Sequence, residues 1–151
     1  MKKKKIVTFG EIMLRLTTPD NLRIQQSHDF LVSYGGSEAN VAISIANFGG
    51  DVDYITRLPD NALGETCLSE LRSHNIGTQN ILIGGKRLGT YYMEKAAAMR
   101  NSKVIYDRDG SAFSELKPGM IDWKEVFKDA DIFHWSGIDA ALTPGLADVC
   151  H

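Results

Sequence analysis

Residues 30–57 read Phe30-Leu31-Val32-Ser33-Tyr34-Gly35-Gly36-Ser37-Glu38-Ala39-Asn40-Val41-Ala42-Ile43-Ser44-Ile45-Ala46-Asn47-Phe48-Gly49-Gly50-Asp51-Val52-Asp53-Tyr54-Ile55-Thr56-Arg57. An apolar, aromatic start gives way at two glycines to a helix from about Glu38 to Phe48, with Ser37 as the expected N-cap. Val41, Ala42, Ile45 and Ala46 form a stripe rich in small residues, so this helix can pack closely, and Gly49-Gly50 end it. Asp51 to Arg57 then predicts a strand in which Val52, Tyr54 and Thr56 alternate with Asp53 and Ile55.

Working outward, residues 4 to 9 form a short apolar run stopped by Gly10, which suits a buried strand. Ile12 to Leu16 predicts another strand, with Ile12, Leu14 and Leu16 on one side and Met13 and Arg15 on the other, broken by Pro19. Downstream, a helix from about Leu63 to His74 offers Leu63, Cys67, Leu68 and Leu71 to a core. Asn75-Ile76-Gly77 is its exit, and Asn80 to Ile83 is the next strand. Strand, helix, strand, helix, strand is the pattern of a parallel sheet with crossover helices.

Leu88 to Ile105 breaks that alternation, because two β-rich runs flank a polar, alanine-containing loop. This region is expected to form a small accessory sheet, with Leu88, Thr90 and Tyr92 on one face and Gly89, Tyr91 and Met93 on the other. Asp131 to Trp135 returns to a buried strand, and Thr143-Pro144-Gly145-Leu146 opens a helix near the end of the chain. An end so close to the start of an element points to a fragment of a longer protein.

Composition narrows the function classes. The 151 residues are 43% hydrophobic, enough for one ordinary domain or part of a larger one. A formal charge of -2 with scattered basic residues argues against a nucleic-acid partner. The run Lys2 to Lys5 reads as a solvated start to the first strand. Neither a spanning run of roughly 20 apolar residues nor a signal-peptide pattern is present, so a cytoplasmic protein without a membrane partner is expected. Cys67 and Cys150 form no CxxC motif and are expected to be reduced. His28, His74, His134 and His151 are unclustered, so no metal site is expected.

The chemistry concentrates at Gly35-Gly36-Ser37-Glu38-Ala39-Asn40. Two glycines let the backbone approach a ligand, a helix start presents unpaired N–H groups, and the Asn40 amide both donates and accepts. That set suits hydroxyl recognition, although a glycine turn before an ordinary helix has the same pattern. Tyr91, Tyr92 and Tyr106 read either as ligand contacts or as ordinary strand aromatics, and Arg108-Asp109-Gly110 as either an anion grip or a charged turn. Glu94 and Arg15 read as solvated strand residues. His134-Trp135-Ser136-Gly137 lacks the acid partner and oxyanion turn of a hydrolase and reads as a strand end.

In its glycine pair, the Asn40-Val41-Ala42 turn and the closing Gly49, the chain resembles the PfkB or ribokinase-like carbohydrate kinases. Leu58-Pro59-Asp60-Asn61-Ala62-Leu63-Gly64-Glu65 is similar to the acidic loop of that family. It departs from it in having Arg57-Leu58-Pro59 and an Asp-Asn pair in place of a glycine and paired aspartates. Gly89-Thr90-Tyr91-Tyr92-Met93-Glu94, followed by Val104-Ile105-Tyr106-Asp107-Arg108-Asp109-Gly110, most resembles the 2-keto-3-deoxygluconate kinases.

The resemblance implies a three-layer α/β/α fold with a parallel central sheet and a small β-sheet lid. Residues 1–151 would be the amino-terminal part of the kinase domain, with lid segments at about 12–34 and 88–112 and the carboxy-terminal part absent. It implies Gly35, Gly36, Asn40, Tyr91, Tyr106 and Arg108 as contacts to a sugar or sugar acid, and lets Gly137 border the pocket. It also implies phosphoryl transfer from ATP with Mg2+ in the full-length enzyme, both held mainly by the missing part, and a homo-oligomer formed through the lid. No catalytic, cofactor-binding or metal-binding residue is assigned in these residues. There is no GxxxxGK[ST] loop, and FGEIM has one glycine where a dinucleotide fingerprint needs three, which counts against a nicotinamide-dependent oxidoreductase. A fructokinase or ribokinase-like enzyme, and a non-catalytic sugar-binding or oligomerisation module, are the alternatives.

Overall fold

A computed structural model describes residues 3–150; Lys2, in the lysine run, and His151 lie outside the described residues. In chain order the elements are β1 (Lys5–Phe9), β2 (Met13–Thr17), β3 (Leu31–Gly35), α1 (Ser37–Asn47), β4 (Asp51–Ile55), β5 (Arg57–Leu58), α2 (Ala62–Ser73), β6 (Leu82–Ile83), β7 (Thr90–Glu94), β8 (Lys103–Asp107), α3 (Trp123–Phe127), β9 (Ile132–His134), α4 (Gly137–Ala140) and α5 (Pro144–Cys150).

One sheet is parallel in the order β4-β1-β9, with Ile6 of β1 opposite both Val52 and Ile132. Its edge continues where the Tyr54 amide donates to the Gly77 carbonyl at 2.9 Å and the Leu82 amide to the Thr56 carbonyl at 3.0 Å. The second sheet has the order β3-β2-β7-β8, in which β2 and β7 run parallel and the two outer pairings are antiparallel.

The parallel sheet is covered on both faces over β1 and β4, whereas β9 is an exposed edge rather than the buried strand expected at 131–135, with Ile132 44% and Phe133 37% exposed. Val52 and Tyr54 pack with Ala39 and Ala42 of α1 and Cys67 and Leu71 of α2. Val7, Phe9 and Ile55 pack with Phe113, Leu116, Val126 of α3 and Leu146 of α5. This is the three-layer α/β/α arrangement, and it explains why β4 has no wet face. The expected alternation along β4 holds as a split between two cores, with Val52 and Tyr54 in one and Ile55 in the other, so residues 52–56 are all buried.

Other local expectations shift for identifiable reasons. The cap of α1 is Gly36, in extended backbone and without a side-chain cap bond, so Ser37 is the first helical residue. The buried stripe of α1 is Ala39 and Ala42 with Glu38 beside them, while Val41 is only half-buried. On α2, Asn61 is the cap, its side-chain oxygen accepting from the amides of Leu63 and Gly64 at 3.0 and 3.2 Å. That start turns Leu63 outward, leaving it 48% exposed, and Cys67 and Leu71 reach the core without it. Only Leu82–Ile83 of the segment expected from Asn80 forms a ladder. Glu94 is buried rather than solvated, because its carboxylate accepts the Ile24 amide at 2.8 Å.

Among the described residues no helix is long and apolar enough to cross a membrane. Burial, with a smaller contribution from the charge of Glu70, pushes the Cys67 thiol up to about 12. Thiolate is the reactive form, so Cys67 is expected to resist alkylation at pH 8 in the native protein and to react once the chain unfolds. Mass spectrometry after timed iodoacetamide labelling checks this. Labelling of Cys67 as fast as half-buried Cys150 would show that α2 is not closed over the sheet.

Candidate functional site

The glycine pair controls how closely α1 approaches the turn after β1. A methyl group on Gly36 would overlap the Glu11 carbonyl oxygen, and one on Gly35 would lie 2.6 Å from the Tyr91 hydroxyl. Gly36 therefore needs glycine for space against backbone, whereas a side chain at Gly35 would push the Tyr91 hydroxyl aside. The first turn of α1 is thereby set against the small sheet, and the Asn40 amide donates to the Gly36 carbonyl at 2.9 Å.

Strand register supplies the opposite wall. Tyr91 stands opposite Arg15 on one side and Tyr106 on the other, so the two tyrosines share a face, with ring centroids 5.8 Å apart. Tyr92 points to the other face and packs against Phe30 at 5.7 Å. The split of adjacent tyrosines is thus the one that strand periodicity predicts.

Between these walls lies a cavity of about 180 Å³. Gly35, Gly36, Asn40, Tyr91, Tyr106 and Arg108 all line it, although they come from three separate stretches of chain. Ile138 and Asp139 of α4 border it, one and two residues beyond Gly137, which does not itself line the cavity. Asp60 is exposed in the loop before α2, which is a capping turn here.

Arg108 is not the free fork that the sequence reading expected. Its Nε donates to Glu11 Oε2 at 2.7 Å, its Nη2 donates to the same oxygen, and the Ser111 hydroxyl donates to Glu11 Oε1 at 2.5 Å. Glu11 is 2% exposed, so this is a buried carboxylate with a cation and three donors. Two of the five guanidinium N–H groups are committed, and the Nη1 edge remains. Arg108 also stands 5.8 Å from the Tyr106 ring centroid. Arg87 secures the turn that carries it, bonding the Asp107 and Asp109 carbonyls at 3.0 and 3.2 Å.

Sequence reading missed three acids here: Glu11, Glu38 and Asp139. Glu38 is 1% and Asp139 0% exposed, and Glu38 Oε1 and both Asp139 carboxyl oxygens have no hydrogen-bond partner. Burial first, and then the charge of Glu38, push Asp139 up to about 7; the backbone amides of Glu11 and Ser136, which lie near the carboxyl without meeting hydrogen-bond geometry, and the charge of Arg108 pull the other way. The one signal in the sequence was position: Glu38 lies next to the glycine pair, where an acid also reads as an ordinary first-turn helix residue.

The geometry defines a small polar cavity at the carboxyl end of parallel strands, walled by aromatics and roofed by a separate sheet. The sequence profile of pfkB family carbohydrate kinases matches residues 3–150, and the chain belongs to that family. It is 34% identical over 144 residues to a 2-dehydro-3-deoxygalactonokinase of Haloferax volcanii, covering 95% of this chain and 45% of that protein. The crystal structure of a 2-dehydro-3-deoxygluconokinase of Thermotoga maritima superposes with a TM-score of 0.88 at 49% identity, covering 89% of this chain and 41% of the other. Fructokinase-2 of Solanum lycopersicum is 26% identical over 141 residues, covering 92% of this chain and 42% of that protein. The chain thus spans less than half the length of the relatives it matches.

Two stability outcomes follow. Glu11→Ala should lower the unfolding free energy by about 2–4 kcal/mol, since it leaves a part-buried guanidinium and a buried hydroxyl without their acceptor, and Glu11→Gln by less. Urea titration reads both, and losses below about 0.5 kcal/mol would mean that the pair does not hold the two sheets together. Asp139 has its pKa raised by folding, so the folded state holds the proton more tightly. Its contribution is full below about pH 4 and declines as pH rises toward about 7. Asp139→Asn should remove that decline and make the protein more stable than the parent at pH 8, on the order of 2 kcal/mol.

Proposed function

We propose that this chain is the sugar-holding part of an ATP-dependent carbohydrate kinase whose substrate is a sugar acid of the 2-keto-3-deoxygluconate type. The observation that carries this reading is the convergence of Gly35, Gly36, Asn40, Tyr91, Tyr106 and Arg108 on one cavity. The glycines and Asn40 would hold hydroxyls, the tyrosines would supply aromatic walls with hydroxyl tips, and the free edge of Arg108 would take the carboxylate. The relatives named for deoxy-sugar-acid kinases support that substrate class.

The four-stranded sheet would act as a lid that excludes water when the sugar is bound, limiting wasteful hydrolysis of ATP. Its far face leaves Val32 63% and Ile105 44% exposed, which supports a homo-oligomer formed through this sheet. Among the described residues no group of three or more His, Cys, Asp or Glu side chains is placed to hold a metal ion. By the family resemblance, ATP, Mg2+ and the base for the attacking hydroxyl would be held mainly by a part of the enzyme other than these residues, and the 151-residue chain alone should phosphorylate no sugar. Small polar substrates and ATP fit a cytoplasmic reaction.

A second reading, a fructokinase-like enzyme for a neutral sugar, is favoured by one observation: Glu11 already neutralises Arg108. Arg108→Ala in the full-length protein separates the two. For a sugar acid it deletes a charge-assisted hydrogen bond, and kcat/KM should fall roughly ten- to a hundredfold, about 1.5–3 kcal/mol, with fructose affected far less. Equal losses for 2-keto-3-deoxygluconate and fructose, with folding verified by thermal melting, would overturn the sugar-acid assignment.

A further inference from the structure

Three carboxyl groups and one guanidinium bound the cavity: Glu11, Glu38, Asp139 and Arg108. Glu11 takes the guanidinium and the Ser111 hydroxyl. Glu38 and Asp139 are left fully buried, with three carboxyl oxygens unpartnered. Gly10 leaves room for the Glu38 carboxyl, because a methyl group there would overlap Oε2.

The groups facing the pair come from every neighbouring element. Glu11 lies on the turn after β1, Arg108 after β8, Tyr91 and Tyr106 on the small sheet, Tyr54 on β4 and Cys150 on α5. The Tyr54 hydroxyl donates to the Gly10 carbonyl at 2.7 Å and offers the pair no positive charge. Arg108 is thus the lone cation in this set, and it is committed. Two ionised carboxylates buried on one cavity without a free cation are more costly than one ionised and one protonated.

We propose that Glu38 and Asp139 work as a single acid pair that sets the charge of the ligand the cavity accepts. Holding one proton, the pair can donate a hydrogen bond to a ligand oxygen and accept others from ligand hydroxyls. Once that proton is lost, two bare carboxylates face the ligand. An anionic sugar is then repelled while a neutral polyol is still held. This rests on the reading of the cavity as a sugar site. Since Asp139 is raised to about 7, the change falls within the ordinary working range of pH.

The test is calorimetric binding of 2-keto-3-deoxygluconate and of fructose to the full-length protein between pH 6 and 8.5. The Kd of the acid should rise at least about tenfold over that range while that of fructose changes less than about twofold, and Asp139→Asn or Glu38→Gln should flatten the acid profile. A profile as steep in both variants as in the parent, or parallel profiles for acid and neutral sugar, overturns the proposal. Binding of neither sugar would instead sink the sugar-site reading. The pair is then decided without ligand, by carbon-13 carboxyl spectra of the parent and of Glu38→Gln. The Asp139 signal should titrate near 7 in the parent and lower in the variant. Titration of Asp139 wholly below about pH 5, or no response to Glu38→Gln, overturns the acid pair.

Discussion

The buried carboxylate of Glu11 is the constraint on which the rest of the site depends. A carboxylate 2% exposed must have its charge and lone pairs met, and the partners that meet them are 97 and 100 residues away, at Arg108 and Ser111. Satisfying it draws the end of β8 to the turn after β1. That fixes the small sheet over the parallel one, and register then carries Tyr91 and Tyr106 over the start of α1. The cavity is a by-product of one electrostatic requirement and two glycines that leave room for it.

Much of the fold was legible because its signals are local. The turn at Gly35-Gly36, the end of α1 and the split of Tyr91 from Tyr92 need only nearest-neighbour geometry and a period of two or 3.6. What failed depended mostly on how elements pack. Nothing local in Asp131 to Trp135 says that β9 will be an exposed edge, with Ile132 44% exposed. The outward turn of Leu63 is the exception, since the Asn61 cap that causes it lies only two residues away. Residues 113–130 gave no expectation, yet Phe113, Leu116 and Val126 build the second core, because Phe9 waits for them at ring distances such as 5.3 Å to Phe113.

The site divided along the same line. Glycines, an amide, tyrosines and an arginine announce themselves by type, whereas an acid is common on surfaces and becomes informative only when buried. Glu11, Glu38 and Asp139 are each unremarkable in sequence. Glu94 shows the same limit away from the cavity, since a half-apolar strand end gives no hint that the Ile24 amide will bury its carboxylate.

These acids change what Arg108 can contribute to selectivity. A lone guanidinium in a cavity of this size would attract any anion strongly, because few waters screen it. Paired through its Nε–Nη2 edge to Glu11, it presents a nearly neutral unit whose Nη1 edge still offers directed donors. Such a unit distinguishes ligands by geometry more than by net charge, since a carboxylate in the plane of the free edge gains two hydrogen bonds and a misplaced one gains little. Discrimination against the wrong sugar must then come from the hydroxyl pattern read by Asn40, the glycine turn and the tyrosines. A preference for a charged substrate would depend on how much further negative charge the cavity carries, and Glu38 and Asp139 are the groups that decide it.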